Sequence, residues 1–371
     1  MVLDLSSIYL PFRNIDSAHF IDVYKNHGGY DRLASLEPGQ EILKSHLLTR
    51  YGRSLESYWN RYVLPATKSR GLLTNLASVE PGMFSQRRLI LKDPHGLIEG
   101  MLLAARASGS DQGFIISAID DFDITKTIDR VLEESYQEAL WGKNSNWSFH
   151  FHHIKLPKNA MFDFDDFLLA GLHGERPGYP NRKEFLQGMP VHIHRPEEFY
   201  AMRWIENNSA RQFNEFGTKT TPGSYLITIS GSVKNPLVVE VPGGTLIENI
   251  FEQTGLQTNI NGGWFRWGGV LGQWTPWHKV KRQQFDLSSG LFKLHDFQYP
   301  LMEWFTDEAA SAAKRAMAYY VGDQSCGACL GCSYATSGLL HWKKSQLLGL
   351  KEVAKCSFFK LAINASIGPS W

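Results

Sequence analysis

The four cysteines of this 371-residue chain are concentrated near its carboxyl-terminal end. Cys326, Cys329 and Cys332 are separated from one another by two residues, and Cys356 follows after a further 23 residues. Thiolates at this spacing can ligate one iron–sulfur cluster from a single turn, with the fourth ligand coming from elsewhere in the chain. A zinc ribbon instead presents two separated Cys-x-x-Cys pairs. The spacing therefore predicts a [4Fe-4S] cluster held by Cys326, Cys329, Cys332 and Cys356, with a zinc site or free buried thiols as the alternatives.

The composition is typical of a globular protein. With 43% hydrophobic and 20% charged residues, the chain is too apolar to be disordered and long enough for two or three domains. Its 38 basic and 37 acidic residues leave a net charge of +1, so we expect neither nucleic acid nor a membrane surface as a partner. No apolar run reaches the ~18 to 20 residues of a membrane span, and residues 1–5 lack the basic start of a signal peptide. Few, clustered cysteines fit a reducing compartment, so we expect a cytoplasmic protein.

Strand-like and helix-like segments alternate in the first half of the chain. Residues 72–75 and 113–119 have the apolar character of buried strands. Residues 97–107 are rich in alanine, which favours a helix, and residues 124–140 have the i, i+3, i+4 apolar spacing of a helix. This alternation predicts an α/β layered domain.

The second half begins with two β-rich runs, 224–233 and 237–246, which predict a hairpin that leads into a helix near residue 245. Two strands followed by a helix is the opening of a β-grasp domain. Residues 300–305 and 309–320 are predicted to be helical and to lead to the cysteines.

Three groups of polar or aromatic residues have two interpretations each. Paired histidines on strands could ligate a metal or be hydrogen-bonded structurally; these are His150, His152, His192 and His194. Clustered aspartates could act as acids and bases, but turns and helix starts are favoured; these are Asp120, Asp121, Asp123, Asp163, Asp165 and Asp166. Four tryptophans could form a protein interface or a packed core; these are Trp264, Trp267, Trp274 and Trp277.

Several motifs occur in an order that resembles one known family. They are Gly28-Gly29-Tyr30, Glu80-Pro81-Gly82, Asp93-Pro94-His95-Gly96-Leu97-Ile98-Glu99-Gly100, Gly217-Thr218-Lys219, Ile229-Ser230-Gly231 and the cysteine motif. The family is the NADH-binding flavoprotein (51 kDa-type) subunit of respiratory complex I, with relatives in soluble hydrogenases, formate dehydrogenases and bifurcating complexes.

The resemblance implies an architecture and partners. It implies an N-terminal helical segment (1–60), an FMN-binding-like α/β domain (61–205), an SLBB-like β-grasp domain (206–285) and a helical [4Fe-4S]-binding domain (286–371). It also implies that the chain is a subunit of a redox complex, with a thioredoxin-like [2Fe-2S] subunit among its partners.

The sequence departs from the family at the flavin motifs. In place of the glycine-rich loop Gly-Arg-Gly-Gly-Ala-Gly-Phe-Pro-Thr-Gly-Leu-Lys-Trp, whose amides approach phosphate, the sequence before the first strand reads Ser69-Arg70-Gly71-Leu72. Of the following Asn-Ala-Asp-Glu-x-Glu-Pro-Gly motif, Asn75 and Glu80 remain. The family's Asn-Asn-Val-Glu-Thr aligns with residues 194–198. Bulky side chains replace small ones farther on, and we expect Phe162, Phe164 and Phe167 to fill the vacated cleft.

These departures predict an electron-transfer or scaffold subunit that relays electrons through the cluster, with no catalytic residues and without FMN or NAD(H). Asn75, Glu80 and Arg70 are the candidate residual flavin-site positions, and Arg70, Arg195 and Lys68 could rebuild a phosphate site. The alternative is an active NADH:acceptor oxidoreductase flavoprotein subunit that uses FMN and the cluster.

Overall fold

The computed structural model describes residues 8–12, 14–15, 17–35, 37–60, 69–77, 80–175, 185–256, 262–289, 291–292 and 299–324. The four cysteines and Lys68 therefore lie outside the described residues. Among the helices in the described part of the chain, none has both the length and the apolar character that a membrane span requires.

The first sheet has five strands in the order β3-β2-β1-β5-β4. Strands β1, β2, β3 and β5 run parallel, and β4 pairs with β5 in the antiparallel direction. The strands are β1 (Gly71–Asn75), β2 (Gln112–Ala118), β3 (His150–Leu156), β4 (Phe185–Leu186) and β5 (Met189–His194). All of β1 and nearly all of β2 are buried, as expected for central strands of a parallel sheet that is covered on both faces. The predicted α/β domain is confirmed.

Nine helices accompany this sheet in the described part of the chain. They are α1 (Ile21–Asn26), α2 (Gln40–Lys44), α3 (Leu55–Trp59), α4 (Ser85–Lys92), α5 (Pro94–Ser108), α6 (Phe122–Gln137), α7 (Asp165–Leu172), α8 (Pro196–Asn208) and α9 (Ala210–Glu215). Helix α5 begins where the Asp93 carboxylate accepts a hydrogen bond from the Gly96 N–H, and it ends at Gly109 in the left-handed conformation (φ 68°). Helix α6 begins in the same way at Asp121. The aspartates at 121, 165 and 166 therefore mark helix starts.

The second sheet has the strand order β7-β6-β10-β8-β9, in which the central pair, β6 and β10, is parallel and the other pairs are antiparallel. Its strands are β6 (Ser224–Gly231), β7 (Leu237–Pro242), β8 (Trp264–Trp267), β9 (Gln273–Pro276) and β10 (Leu301–Phe305). Helices α10 (Ile247–Glu252) and α11 (Trp277–Val280) accompany it. Tyr225 and Trp267 pack against Phe285 in its core.

The predicted helix at 300–305 is wrong, because Leu301–Phe305 forms strand β10. All five residues of this strand are buried between β6 and β8. A short apolar run does not by itself distinguish a buried strand from a helix, and the pairing partners on both sides decide the outcome here. The second sheet thus extends into the range 286–371.

The long helix α12 (Asp307–Gln324) follows β10 and packs on the tryptophan-rich face of the second sheet. The Lys314 ammonium lies 4.6 Å from the ring centroid of Trp264 and 5.1 Å from that of Trp274. Trp267, Trp274 and Trp277 are each at most 1% exposed. The tryptophan cluster is therefore a packed core within this chain, and cation–π contacts attach α12 to it.

Candidate functional site

The first sheet has a topological switch point between β1 and β5. From β1 the chain proceeds to β2 on one side, and it later returns to β5 on the other side. In open α/β sheets, ligands bind in the crevice outside the carboxyl ends of the strands near such a point. Leu76 follows β1 and Arg195 follows β5 at this edge.

A cleft lies at this edge, and we call it the sheet-edge cleft. Its larger part encloses about 690 Å³, including space open to solvent, and its residues include Leu76, Gln86, Arg87, Lys158 and Asp121. A smaller part of about 350 Å³ shares Glu80 and Tyr299 with the larger one.

Three parts of the protein meet at the smaller part of the cleft. Asp163 and Phe164 come from the first domain, and Val270 comes from the loop between β8 and β9 of the second sheet. Tyr320 and Val321 come from α12. By sequence, Cys326 follows the last residue of α12 by two positions. The cleft thus adjoins the helix that leads directly to the predicted cluster ligands.

Glu80 lies where the two sheets come together. Its Oε1 accepts a hydrogen bond from the Val270 N–H at 2.6 Å. Burial raises the pKa of Glu80 well above its usual value, although the nearby Arg266 guanidinium and the Val270 hydrogen bond act in the opposite direction. The raised pKa favours the protonated, neutral form of this carboxyl group.

Tyr299 supplies a second polar group. Its side chain is 5% exposed, and its buried hydroxyl has no hydrogen-bond partner among the described residues. The Arg195 guanidinium lies 5.4 Å from the centroid of its ring. Because a buried hydroxyl without a partner is costly, a ligand group or a water molecule is the natural partner for Tyr299.

The predicted residual flavin-site positions do not all meet. Asn75 lies at the carboxyl end of β1, where its amide donates to the Phe162 carbonyl (2.9 Å) and accepts from the Ala77 N–H (2.9 Å). Glu80 is at the same edge. Arg70 precedes β1 at the opposite edge, where its backbone N–H donates to Asp111 at 2.9 Å. At about 3.3 Å per residue, Arg70 is roughly 16 Å from the level of Arg195, so these two arginines do not form one phosphate site.

Arg50 is a buried cation that was not among the residues predicted from the sequence, and it adjoins the cleft through Asp163. Its guanidinium is buried, donating to the Asp163 carbonyl at 2.7 Å and lying 3.7 Å from the Asp165 carboxylate. Burial alone would lower the pKa of Arg50, but the neighbouring Tyr51 and Asp165 raise it above its usual value. A signal was present, since Thr49-Arg50-Tyr51-Gly52 keeps the second and fourth residues of the family's Gly-Arg-Gly-Gly loop.

The turn that carries Arg50 does not offer its amides to a phosphate group. The Thr49 N–H donates to the Arg53 carbonyl (2.8 Å), and the Gly52 N–H donates to the Thr49 carbonyl (2.7 Å). The Arg50 N–H donates to the Glu198 carboxylate at 2.9 Å. A carboxylate of the protein thus accepts one of the hydrogen bonds that a bound anion would require.

Two of the paired histidines, His152 and His194, are hydrogen-bonded to protein groups. The Nδ1 of His194 lies 2.6 Å from Glu198, and its Nε2 accepts from the Trp59 indole N–H at 2.9 Å. His152 is hydrogen-bonded to Gln112 at 2.8 Å. Within the described ranges, no group of three or more histidine, cysteine or acidic side chains is arranged to hold a metal ion.

Comparison with known proteins identifies related sequences and folds. Residues 42–167 match the model of the Nuo51 FMN-binding domain. An NADH-quinone oxidoreductase subunit of Rickettsia rickettsii is 26% identical over 368 residues, covering 93% of this chain and 86% of the relative. The corresponding protein of Rickettsia bellii is 27% identical over 374 residues, covering 92% and 88%. A chain of an NAD+-reducing [NiFe]-hydrogenase structure superimposes with a TM-score of 0.76 at 19% identity; the match covers 96% of this chain and 64% of that one.

These matches overturn one prediction. FMN and NAD(H) were not expected, yet the matching domain model is an FMN-binding one, and the relatives are NADH-quinone oxidoreductase subunits. The wrong prediction came from the expectation that Phe162, Phe164 and Phe167 fill the flavin cleft. Phe162 packs with the β1 and β2 core, and Phe164 packs against Phe167, while the cleft beside them stays open.

Fold, cleft position and sequence matches agree with the resemblance seen in the motifs. Over more than nine-tenths of its length the chain is similar to NADH-quinone oxidoreductase subunits, and its residues 42–167 match an FMN-binding domain model.

Proposed function

We propose that this chain is the flavoprotein subunit of a multisubunit NADH:acceptor oxidoreductase. It binds FMN in the sheet-edge cleft and passes electrons to one [4Fe-4S] cluster held by Cys326, Cys329, Cys332 and Cys356. The observation that carries this proposal is the position of the cleft, which is bounded by both sheets and by the helix whose sequence continues to Cys326. Tyr320 and Val321 of this helix line the cleft, six and five residues before Cys326 in the sequence.

The second sheet supports the domain assignment. A hairpin, a helix and a central parallel strand pair are features of β-grasp domains, so we assign the SLBB-like role to the part of the chain around β6–β10. Residues 1–60, 61–205 and the cysteine-bearing remainder keep the roles that the family resemblance implies.

The residues of the cleft suit a flavin. The Tyr299 hydroxyl has no other partner among the described residues and can donate to a ring carbonyl. The Gln86 amide lines the cleft and can contact polar groups of the cofactor. The Glu80 carboxyl group lines the cleft, and its raised pKa favours the protonated form, which can donate a hydrogen bond. Bound FMN supplies the chemistry that accepts a hydride from NADH and releases its electrons singly.

The cleft does not bind phosphate through the backbone amides of a glycine loop. The N–H groups of Thr49, Arg50 and Gly52 in the Arg50 turn already donate hydrogen bonds to protein acceptors. Side chains at the rim must therefore contact the phosphate. Arg87 and Lys158 are the cationic residues that line the larger part of the cleft, and each also pairs with an aspartate of the 120–123 cluster.

The proposed partners are the other subunits of the redox complex, including a [2Fe-2S] protein of the thioredoxin-like type, and the proposed compartment is the cytoplasm. Their test requires co-purification with the endogenous complex from the native host. The cofactor proposal can be tested on the chain itself.

Anaerobic purification followed by iron, acid-labile sulfide and released-flavin assays is the direct test. We expect about four irons, four sulfides and one FMN per chain. We also expect NADH to bleach the flavin band and then the broad cluster absorbance near 400 nm. A chain that holds iron and sulfide but takes up no FMN on reconstitution would refute the flavoprotein proposal while leaving the cluster assignment intact.

A further inference from the structure

Strand β3 is an open edge of the first sheet. The strand order places β3 at one end and β4 at the other, and β4 has two residues whereas β3 has seven. Short edge strands and edge prolines protect a sheet against pairing with another chain, and β3 has neither protection. Among the strands of the first domain, β3 is therefore the one best suited to pair with a further strand.

The hydrogen bonds to β2 show which backbone groups of β3 remain unused. The His150 N–H donates to the Asp111 carbonyl (3.0 Å), and the Leu156 carbonyl accepts from the Ile119 N–H (2.8 Å). The even-numbered residues of β3 thus face β2, and the N–H and C=O groups of the three residues between them point away from it. These three residues are Phe151, His153 and Lys155. No strand of the described part of the chain pairs with this side of β3.

The outward groups are symmetric about His153. A second β3 strand that runs antiparallel, with a two-fold axis at His153, has Phe151 of each copy opposite Lys155 of the other and the two His153 residues opposite each other. Each such pair exchanges two hydrogen bonds, so about six form across the axis. This register uses every outward N–H and C=O group of the three residues.

The side chains at the two ends of β3 complement each other in the same arrangement. Ile119 and Phe122 lie at the carboxyl end and are 56% and 67% exposed, the highest values among large apolar residues in the described ranges. Trp141 and Trp147 are half-buried at the amino end, where Trp141 packs edge-on against Phe151. Antiparallel pairing brings the carboxyl end of one strand beside the amino end of the other. Exposed apolar groups of each copy then adjoin aromatic rings of the other.

These apolar groups lie on one face of the first sheet, the face that α6 covers. Asp129 of α6 lies 2.7 Å from His153 Nδ1, and Phe151, two residues earlier, points to the same face. Asp129 also pairs with Lys155 at 2.8 Å, so the charges beside the edge are already paired within the chain. Pairing of two edges therefore introduces no unpaired charge.

We propose that two copies of this chain associate through antiparallel pairing of their β3 strands, so that one sheet continues across both first domains. Ile119 and Phe122 of each copy pack beside Trp141 and Trp147 of the other. This interface goes beyond the proposed function and does not depend on it, because no residue of β3 lines the sheet-edge cleft.

Sedimentation velocity of the full chain from about 1 to 100 µM is the test. We expect a concentration-dependent species of twice the 42.0 kDa chain mass. Phe122→Glu should weaken association at least about tenfold, because it puts a charge into the apolar contact, while an acidic residue suits the first turn of α6. Leu43→Glu is the matched control, since Leu43 is exposed on α2, which packs against α5, α8 and α9. It should associate like the wild type.

A second pair of variants tests the backbone pairing. Lys155→Pro removes one outward N–H and keeps the bonds to β2, whereas Lys155→Ala removes the same side chain and keeps the N–H. We expect the proline variant to associate at least about tenfold more weakly than the alanine variant, with both retaining the circular dichroism of the wild type.

Three results would overturn the proposal. One is a wild type that stays monomeric throughout the concentration range. Another is equal association within either pair of variants. The third is a monomeric chain in which the outward amides of β3 become protected from hydrogen exchange only in the assembled redox complex, because a strand of another subunit then occupies the edge.

Discussion

The buried pair between Asp93 and Arg203 allows a quantitative prediction about the first domain. Asp93 opens α5, where its Oδ1 accepts from the Gly96 N–H at 3.0 Å, and its Oδ2 pairs with the Arg203 guanidinium of α8. Both side chains are 2% exposed. Arg203 also donates to the Tyr24 hydroxyl at 3.1 Å, so the pair attaches the N-terminal helix α1 to the α5–α8 core.

Replacement of Asp93 by alanine removes two interactions. Loss of the helix cap costs about 1 kcal/mol. Leaving the Arg203 charge buried without its carboxylate costs about 3 to 5 kcal/mol. We therefore expect Asp93→Ala to lower the free energy of unfolding by roughly 4 kcal/mol or more, enough to consume a large part of the stability of a typical domain.

Asp121→Ala is the matched control, since Asp121 caps α6 through the Ile124 N–H. Its ion-pair partner Arg87 lies 3.6 Å away and is 43% exposed, so little beyond the cap is lost. The expected cost is about 1 kcal/mol. Urea unfolding followed by far-ultraviolet circular dichroism measures both variants. Equal losses in the two would show that the buried ion pair contributes nothing beyond a cap and would refute the reasoning.

Three other predictions concern the sheet-edge cleft. Tyr299→Phe should weaken FMN binding about fivefold to tenfold, measured by quenching of flavin fluorescence, without destabilising the flavin-free chain, because the hydroxyl has no protein partner among the described residues. Raising the pH should lower the stability of the wild type from the ordinary pKa of a glutamate (4.5) upward, since the folded-state pKa of Glu80 is raised and the folded chain retains the proton to higher pH than the unfolded chain. In Glu80→Gln, thermal melts between pH 5 and 8 should lack this contribution. Riboflavin should bind within about tenfold of FMN by calorimetry, because the amides of the Arg50 turn are engaged; a preference of a thousandfold for FMN would contradict this.

The regular part of the first domain could be predicted from the sequence. Strand β2 reads as an unbroken apolar run, and Asp93-Pro94 followed by a glycine-terminated helix marks both ends of α5. These signals are local, so they require no knowledge of distant partners.

The site could not be predicted to the same extent, because its residues depend on contacts between distant segments. Tyr299 lies two residues before β10 and joins the cleft because β10 inserts beside β6. Glu80 was identified from its motif, but its proton affinity depends on burial against Val270, 190 positions away. The glycine loop was expected beside β1, whereas its remnant at Arg50 lies about twenty residues earlier.

The Arg50 turn does not line the sheet-edge cleft, so changes in the turn leave the cleft itself open. The glycine loop contributes backbone amides to a phosphate, and in this chain Glu198 accepts one of those hydrogen bonds and the turn closes on itself. The planar ring of a flavin instead requires an apolar slot with a few polar groups at its edge. In the proposed flavin site, Glu80, Gln86 and Tyr299 would provide these groups, and all three line the cleft without belonging to the Arg50 turn. Substitutions in the turn can therefore weaken the contacts to the phosphate group without closing the cleft that would hold the ring.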